Sequence, residues 1–496
     1  MRIYKRGRQT QRKKLMTRLP YVRLFVSALM FASVYAATLA QGQQVSTLKD
    51  VKAYQEAMGW FKKAEAMIGT PKENSEEQAD LFRKAVAIYP DFVEAHYNLG
   101  LIYGAQNKQK EAAREFETVR GLNPGFEGIY QVLALTYREL GLNDDAIAAL
   151  QEGLKRQPKN LQLLRALVYL QVHGQDDLSA IPTFQAILGV DPKDEDAWLN
   201  LGILYQKHNR LDEAARSYRA ALELNPADFA AHHNLALVLM RQQKADEAAA
   251  ELEVADRLSP GNVEVLERLG DAYAFQERNE KAADAYQAAV AKAPDRAVLL
   301  SKLAFTLAKL NRVPEAIAVL ERSVKLDPSN ADAYYLLGDL YSELEKYDQS
   351  VEAYNNSVKL DPKRKEVRYN LGTLYAEQKQ YKEARSELTA AVDLDPNYAA
   401  AWSNLAVVCE KLELDKEAIQ ANEKVIALGK AQSINYFRLG ILYAKNNLPD
   451  PAVENFARAI QLEPAKYRQM LLEELKNVHS ILDSVRYRDD FVRLLK

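Results

Sequence analysis

Residues 195–228 read EDAWLNLGILYQKHNRLDEAARSYRAALELNPAD, and this stretch decides the fold. Trp198, Leu201, Gly202 and Tyr205 fall at i, i+3, i+4 and i+7, which is one face of an α-helix. A polar break follows at Lys207-His208-Asn209-Arg210, and a second helical stripe then carries Ala214, Tyr218 and Ala221. The run Leu224-Asn225-Pro226 ends that stripe, because the residue before a proline is pushed out of the helical region. Two antiparallel helices closed by a proline are the consequence.

Working outward, the closing proline recurs every thirty-four residues, at Pro90, Pro124, Pro158, Pro192, Pro226, Pro260, Pro294, Pro328, Pro362, Pro396 and Pro464, with Lys430 the one skipped beat. Counting offsets from each beat makes the unit explicit. Offset nine is always leucine, from Leu99 to Leu439, and offset ten is Gly or Ala in ten of eleven units, with Val168 departing. Offset thirteen is often Tyr, as at Tyr103, Tyr205 and Tyr443. A Gly or Ala lets two helix backbones approach closely, while an aromatic ring fills the remaining wedge. A fixed period of this size marks an array of stacked supersecondary units, and such arrays bind more often than they catalyse.

Large aromatic, Leu-Gly, Tyr, Ala, Phe or Tyr, Ala and Pro in thirty-four residues resembles the tetratricopeptide repeat. The resemblance implies an all-α, right-handed α-solenoid, a superhelix of antiparallel helix pairs. Residues 93–466 hold eleven repeats in unbroken register. Residues 41–92 read as a degenerate opening repeat or N-cap, with one helix around Trp60 and Phe61 and a second carrying Ala79, Phe82 and Ala85. Residues 467–496 read as a C-terminal capping helix with the stripe Leu471, Leu472, Leu475, Val478, Ile481, Leu482 and Val485.

Residues 1–40 differ in kind. No acid occurs before Asp50, nine basic residues run from Arg2 to Arg23, and Leu24 to Phe31 is mostly apolar before small residues reach Ala40. Basic, apolar, small is the order of an export signal, with cleavage expected after Ala36 or Ala40 and a start at Met1 or Met16. Leu24 to Ala40 spans about 25 Å as a helix, short of a bilayer core of about 30 Å. The alternative is an uncleaved inner-membrane anchor, with the array a structural subunit of an envelope complex that packs on other copies or on envelope machinery. Membrane association is expected only if residues 1–40 are retained.

The chain has 66 basic and 68 acidic residues; without the nine basic ones of residues 1–40 the balance is 57 against 68, a net of −11. An acidic array is a poor candidate for nucleic acid, whose phosphates dominate affinity. Histidines 96, 173, 208, 232, 233 and 479 show no metal-ligand spacing, no Gly-rich phosphate loop occurs, and Cys409 is the single cysteine, expected to pack as a small apolar group. Glu264, Glu267 and Asp271 form a carboxylate stripe that reads as a solvated face. The expectation is a binding protein and not an enzyme, with no cofactor and no metal.

The resemblance also places binding on the inner surface, lined by the first helix of each repeat. Offset eight, which in some long arrays of the family forms a ladder gripping peptide amides, carries Asn98, Asn200, Asn234, Asn370 and Asn404. An amide donates and accepts at once, so it suits an extended peptide of any sequence; asparagine is also common there in ordinary repeats. Offset seven adds Tyr97, Tyr335, Tyr369 and Phe437 as apolar contacts. Offsets four, seven and eleven hold Glu94, Asp196, Glu264, Glu267, Asp271, Asp332, Asp339 and Glu366, with Arg165 as the base, so the groove is expected to prefer neutral or basic protein segments. Self-association is a further arrangement open to such an array.

The repeats are not equally well made. Residues 161–194 carry Val168 and Gln171 at core positions, and residues 399–432 carry Cys409 for Tyr, Asn422 for an aromatic and no closing proline. In a nearest-neighbour stack these two should open first, so their amides are expected to exchange hydrogen faster than those of residues 195–262. Equal protection across all four repeats would contradict this.

Overall fold

The computed structural model describes residues 48–174, 177–477 and 480–496, and the export signal expected at residues 1–40 lies outside them. Among the described residues there are twenty-six α-helices, from Leu48–Glu65 to Asp489–Leu495, one 3-10 turn at Asp177–Ser179 and no strand. The chain divides into two compact units, one ending at Leu204 and one beginning at Tyr205. In the first, Leu48–Glu65 packs on Glu76–Ile88, Val93–Ala105 on Gln109–Leu122, Ile129–Glu139 on Asn143–Arg156 and Leu161–His173 on Ala180–Val190. One core runs through them, with Phe61, Phe82, Leu99, Phe116 and Leu133 buried. In the second, the same antiparallel pairing runs from Phe229–Arg241 with Ala245–Leu258 to Ser433–Lys445 with Pro449–Leu462. The all-α class and the stacking of antiparallel helix pairs expected from the repeat hold in each unit.

Among the described residues, the turn inside a repeat places its offset-seventeen residue in the left-handed region, as with Asn107 at φ 61°, Asn209 at 59°, Glu277 at 57° and Lys379 at 62°. The next amide then reaches back to the first helix, as from Lys244 N to Leu239 O at 2.9 Å and from Arg278 N to Tyr273 O at 2.9 Å. This closes orphan carbonyls at the helix C-terminus and reverses the chain. Glutamate and lysine do this at a cost of roughly 1–2 kcal/mol that glycine would not carry. At offset two, Asn160, Asp228, Asn262 and Asn330 cap the next helix through their side chains, whereas Arg296 and Arg364 make no such bond.

In four repeats a glycine at offset ten meets an aromatic at offset twenty-six. A Cβ on Gly100 would lie 2.6 Å from the Phe116 ring, one on Gly270 2.5 Å from Tyr286 and one on Gly440 2.6 Å from Phe456. Gly338 meets Tyr354 in the same way. The partner of these glycines is therefore the ring itself.

Where offset six is Trp, Arg or His, it holds the carbonyl of the preceding closing proline. Trp402 Nε1 donates to Pro396 O at 3.0 Å, and Arg368 Nε donates to Pro362 O at 3.0 Å while its guanidinium reaches Glu387 at 2.7 Å. His96 stands in the same place, with Nδ1 2.6 Å from Glu115 Oε2 and Nε2 2.8 Å from Pro90 O. His232 repeats the arrangement with Glu251 at 2.5 Å and Pro226 O at 3.1 Å. At His96, an ionised Glu115 and the Pro90 carbonyl are both satisfied only when the ring is doubly protonated.

The C-terminal segment departs from the single capping helix expected at 467–496. Pro464–Glu474 is helical, turns follow, and a short helix resumes at Asp489–Leu495. Tyr467, Leu471, Leu482, Val485 and Phe491 are buried, but Leu472 and Ile481 of the expected stripe are exposed, and Val478 lies outside the described residues. Leu471 and Leu472 are adjacent, so one helix cannot turn both inward. Arg486 meanwhile donates to the carbonyls of Leu475 at 3.1 Å and Asn477 at 2.6 Å, which ties down the non-helical backbone.

Gly270→Ala should destabilise its repeat by about 1–3 kcal/mol through overpacking on Tyr286, and Tyr286→Leu in the same chain should recover most of it. Hydrogen exchange over residues 263–292 checks this, and a double variant no better than Gly270→Ala would refute the pairing.

A second expectation concerns pH. Burial alone would lower the His96 imidazole, but the bonds to Glu115 and the Pro90 carbonyl outweigh it and hold the proton above the ordinary value of 6.5. A raised value in the folded state means the contribution is complete below pH 6.5 and is lost as pH rises through the folded value. The stability difference between the native chain and His96→Gln, followed by urea unfolding from pH 6 to pH 9, should therefore shrink with rising pH. Parallel curves would contradict it.

Candidate binding surface

The first helix of each repeat presents offsets four, seven, eight and eleven together. At offset eight, four of the five asparagines are already engaged. Asn98 Nδ2 donates to Glu94 O at 2.9 Å and Asn200 Nδ2 to Asp196 O at 2.7 Å, each within its own helix. Asn370 Nδ2 donates to Asp339 Oδ1 at 3.1 Å and Asn404 Nδ2 to Thr373 Oγ1 at 2.9 Å, each bridging neighbouring repeats. Asn234 is half-buried on its helix. A peptide would have to displace or share the bonds of the other four.

At offset seven, Tyr97 is half-buried between Phe116 at 5.8 Å and Phe126 at 4.8 Å. Tyr335 lies beneath the Arg364 guanidinium at 4.2 Å, and Tyr369 contacts Tyr398 at 5.0 Å. Phe437 is only 8% exposed, wedged against Phe456 and Tyr467, so its ring serves the core and not an open face.

The acids at offsets four, seven and eleven are partly neutralised by the chain. Glu267 pairs with Arg296 at 2.9 Å and Lys302 at 2.8 Å; Asp271 pairs with Lys302 at 2.7 Å and Arg268 at 3.2 Å; Asp332 pairs with Arg364. Arg268 and Lys302 occupy offset eight, a position read in the sequence only for asparagine, so Arg165 is not the only base on this face. Arg165 itself pairs with Asp194 at 2.9 Å.

The sequence reading passed over the apolar side of offset eleven. In the first unit, Leu101, Leu135 and Tyr169 stand at that offset in consecutive repeats and are 41%, 38% and 45% exposed. Their helices carry Val132 and Ala166 at offset eight, both half-buried. The signal was available in the period itself, because offset eleven had already been assigned to the inner face.

Models of the tetratricopeptide repeat match residues 81–115, 132–197, 199–263, 264–296, 335–398, 369–433 and 435–466, and a TPR repeat model matches residues 306–345. This chain is a tetratricopeptide-repeat protein. Among curated proteins, Superkiller protein 3 of Schizosaccharomyces pombe is 24% identical over 34% of the chain, and protein O-mannosyl-transferase TMTC1 of Homo sapiens is 25% identical over 26%. The matched segments span only 13% and 15% of those relatives' length. Among solved structures, YrrB, described as a TPR protein with an unusual peptide-binding site, is 24% identical over 38% of this chain and 97% of its own, with a TM-score of 0.35. The Naa15/Naa10 complex bound to HypK-THB aligns over 81% of this chain and 68% of its own at 16% identity and a TM-score of 0.44. Tetratricopeptide-repeat arrays are protein-interaction scaffolds, and this chain has that general character.

Proposed function

We propose that this tetratricopeptide-repeat protein is a scaffold or assembly factor that holds extended, apolar segments of other proteins along the inner face of its first unit. The observation that carries this reading is the row Leu101, Leu135 and Tyr169, three large apolar side chains left open at one offset. Exposed apolar surface of this kind is costly unless a partner covers it. The charges beside the row are already paired, Arg138 with Glu139 at 2.8 Å and Arg165 with Asp194 at 2.9 Å, so an uncharged apolar occupant fits better than a charged one. Packed helices lie about 8–10 Å apart, and a segment in the extended polyproline-II form rises about 3.1 Å per residue with three residues per turn, so every third residue falls on one side and meets one of the three. Residues 1–40, with their basic, apolar, small order, support export to the periplasm or beyond as the setting.

The test is a peptide with leucine at every third position, titrated into the native chain and into a Leu101→Ser, Leu135→Ser, Tyr169→Ser variant. Each lost contact is worth about 1 kcal/mol, so the variant should bind roughly 100-fold more weakly. Helicity should be unchanged, since all three positions are exposed. Equal affinity for both proteins would overturn the reading.

A further inference from the structure

Five positions in the second unit recur sixty-eight residues apart, two repeats on, and build two versions of one cluster: Glu267, Asp271, Tyr286, Arg296 and Lys302, then Tyr335, Asp339, Tyr354, Arg364 and Asn370. In the first version Tyr286 Oη donates to Asp271 Oδ1 at 2.7 Å. The Lys302 ammonium sits between Asp271, at 2.7 and 3.0 Å, and Glu267, at 2.8 Å, with its nitrogen 6.0 Å from the Tyr286 ring centre. The site is complete within the chain.

The second version keeps the aspartate and the tyrosine but loses the ammonium. Tyr354 Oη donates to Asp339 Oδ1 at 2.6 Å and Asn370 Nδ2 donates to the same oxygen at 3.1 Å, while Asn370 Nδ2 also lies 3.5 Å from the Tyr335 hydroxyl. These donors are all neutral. Arg364, the cation whose charge acts on Asp339, is tied to Asp332 and stacked on Tyr335. Among the described residues, no cation makes an ion pair with Asp339. Burial accordingly pushes its carboxyl above the ordinary carboxylate range.

We infer that Asp339, with Tyr335, Tyr354 and Asn370 around it, is a site for a primary ammonium supplied by a partner, the side chain of a lysine in a bound protein segment. The inference rests on the reading that the inner face holds such segments, and it names a chemical class for the second unit that the first unit's apolar row does not share. Lys302 supplies the geometry: an ammonium at the equivalent point reaches the carboxylate and lies beside the tyrosine ring, with three N–H donors to distribute. A guanidinium is a poorer fit, because Arg364 already covers the face of Tyr335.

The experiment uses the full chain and three peptides, acetyl-Gly-Lys-Gly-amide and its norleucine and arginine counterparts, titrated by NMR. The lysine peptide should bind at least ten-fold more tightly than either counterpart. Asn370→Lys, which installs an internal ammonium as Lys302 does, should abolish that advantage while preserving the fold, and Asp339→Asn should abolish it by removing the charge. Equal binding of the lysine and norleucine peptides to the native chain would overturn the site, as would an Asn370→Lys variant that still prefers lysine. An arginine peptide matching lysine would overturn the ammonium assignment. None of these failures touches the apolar row, whose test uses an uncharged peptide.

Discussion

The ring of Tyr286 lies so near Gly270 that a single added Cβ would meet it at 2.5 Å, and the helix pair is arranged around that approach. Gly100 with Phe116 and Gly440 with Phe456 show the same exchange of a missing methyl for an aromatic face. Where offset ten is alanine, offset twenty-six is smaller: Ala236 is matched with Leu252, Ala304 with Leu320 and Ala406 with Asn422. In these repeats volume is shared across the pair, as close packing favours, while Gly372 with Leu388 and Val168 with Phe184 depart from the exchange. The other features are set by this contact. Once the two helices are that close, the turn between them must reverse within a few residues, and the left-handed residue at offset seventeen is the means.

Much of this was legible because it repeats. Leu99 to Leu439, the small residue beside each and the closing prolines carry the helix pairs, and a thirty-four-residue period leaves few alternative folds. What was not legible lay outside the period or across it. The C-terminal segment has no repeat to read it against, and its apolar residues suggested one helix where Arg486 instead holds a turn. The binding positions were read one offset at a time, whereas the contacts that decide them join different offsets on successive repeats. Asn370 at offset eight was set down as a peptide ligand, yet it bonds to Asp339 at offset eleven of the repeat before. Lys302 was passed over because its effect depends on Glu267 and Asp271 thirty-five and thirty-one residues away. Phe437 was grouped with Tyr97 by offset, though Tyr467, which belongs to no repeat, covers it.

Electrostatics therefore divides the inner face more finely than net charge does. The first unit leaves apolar side chains open and pairs the charges beside them. The second unit concentrates acids, and it satisfies them unequally: one aspartate holds an ammonium, and its counterpart two repeats on holds only neutral donors. Pairing in a partly desolvated face removes the field that a count of acids suggests, so the net of −11 outside residues 1–40 says little about any one groove position.

The proline carbonyl, the donor at offset six and the carboxylate at offset twenty-five all fall within a single period, as Pro362, Arg368 and Glu387 show. Where it is present, the joint therefore travels with its repeat. Genetic duplication or loss of one whole thirty-four-residue block would carry every partner of the joint along with it, whereas gain or loss of a single residue would separate donor from carbonyl and slide each glycine off its ring. The length of this array is consequently free to vary in units of one repeat and strongly constrained below that, which makes the repeat, and not the residue, the natural step of its lengthening.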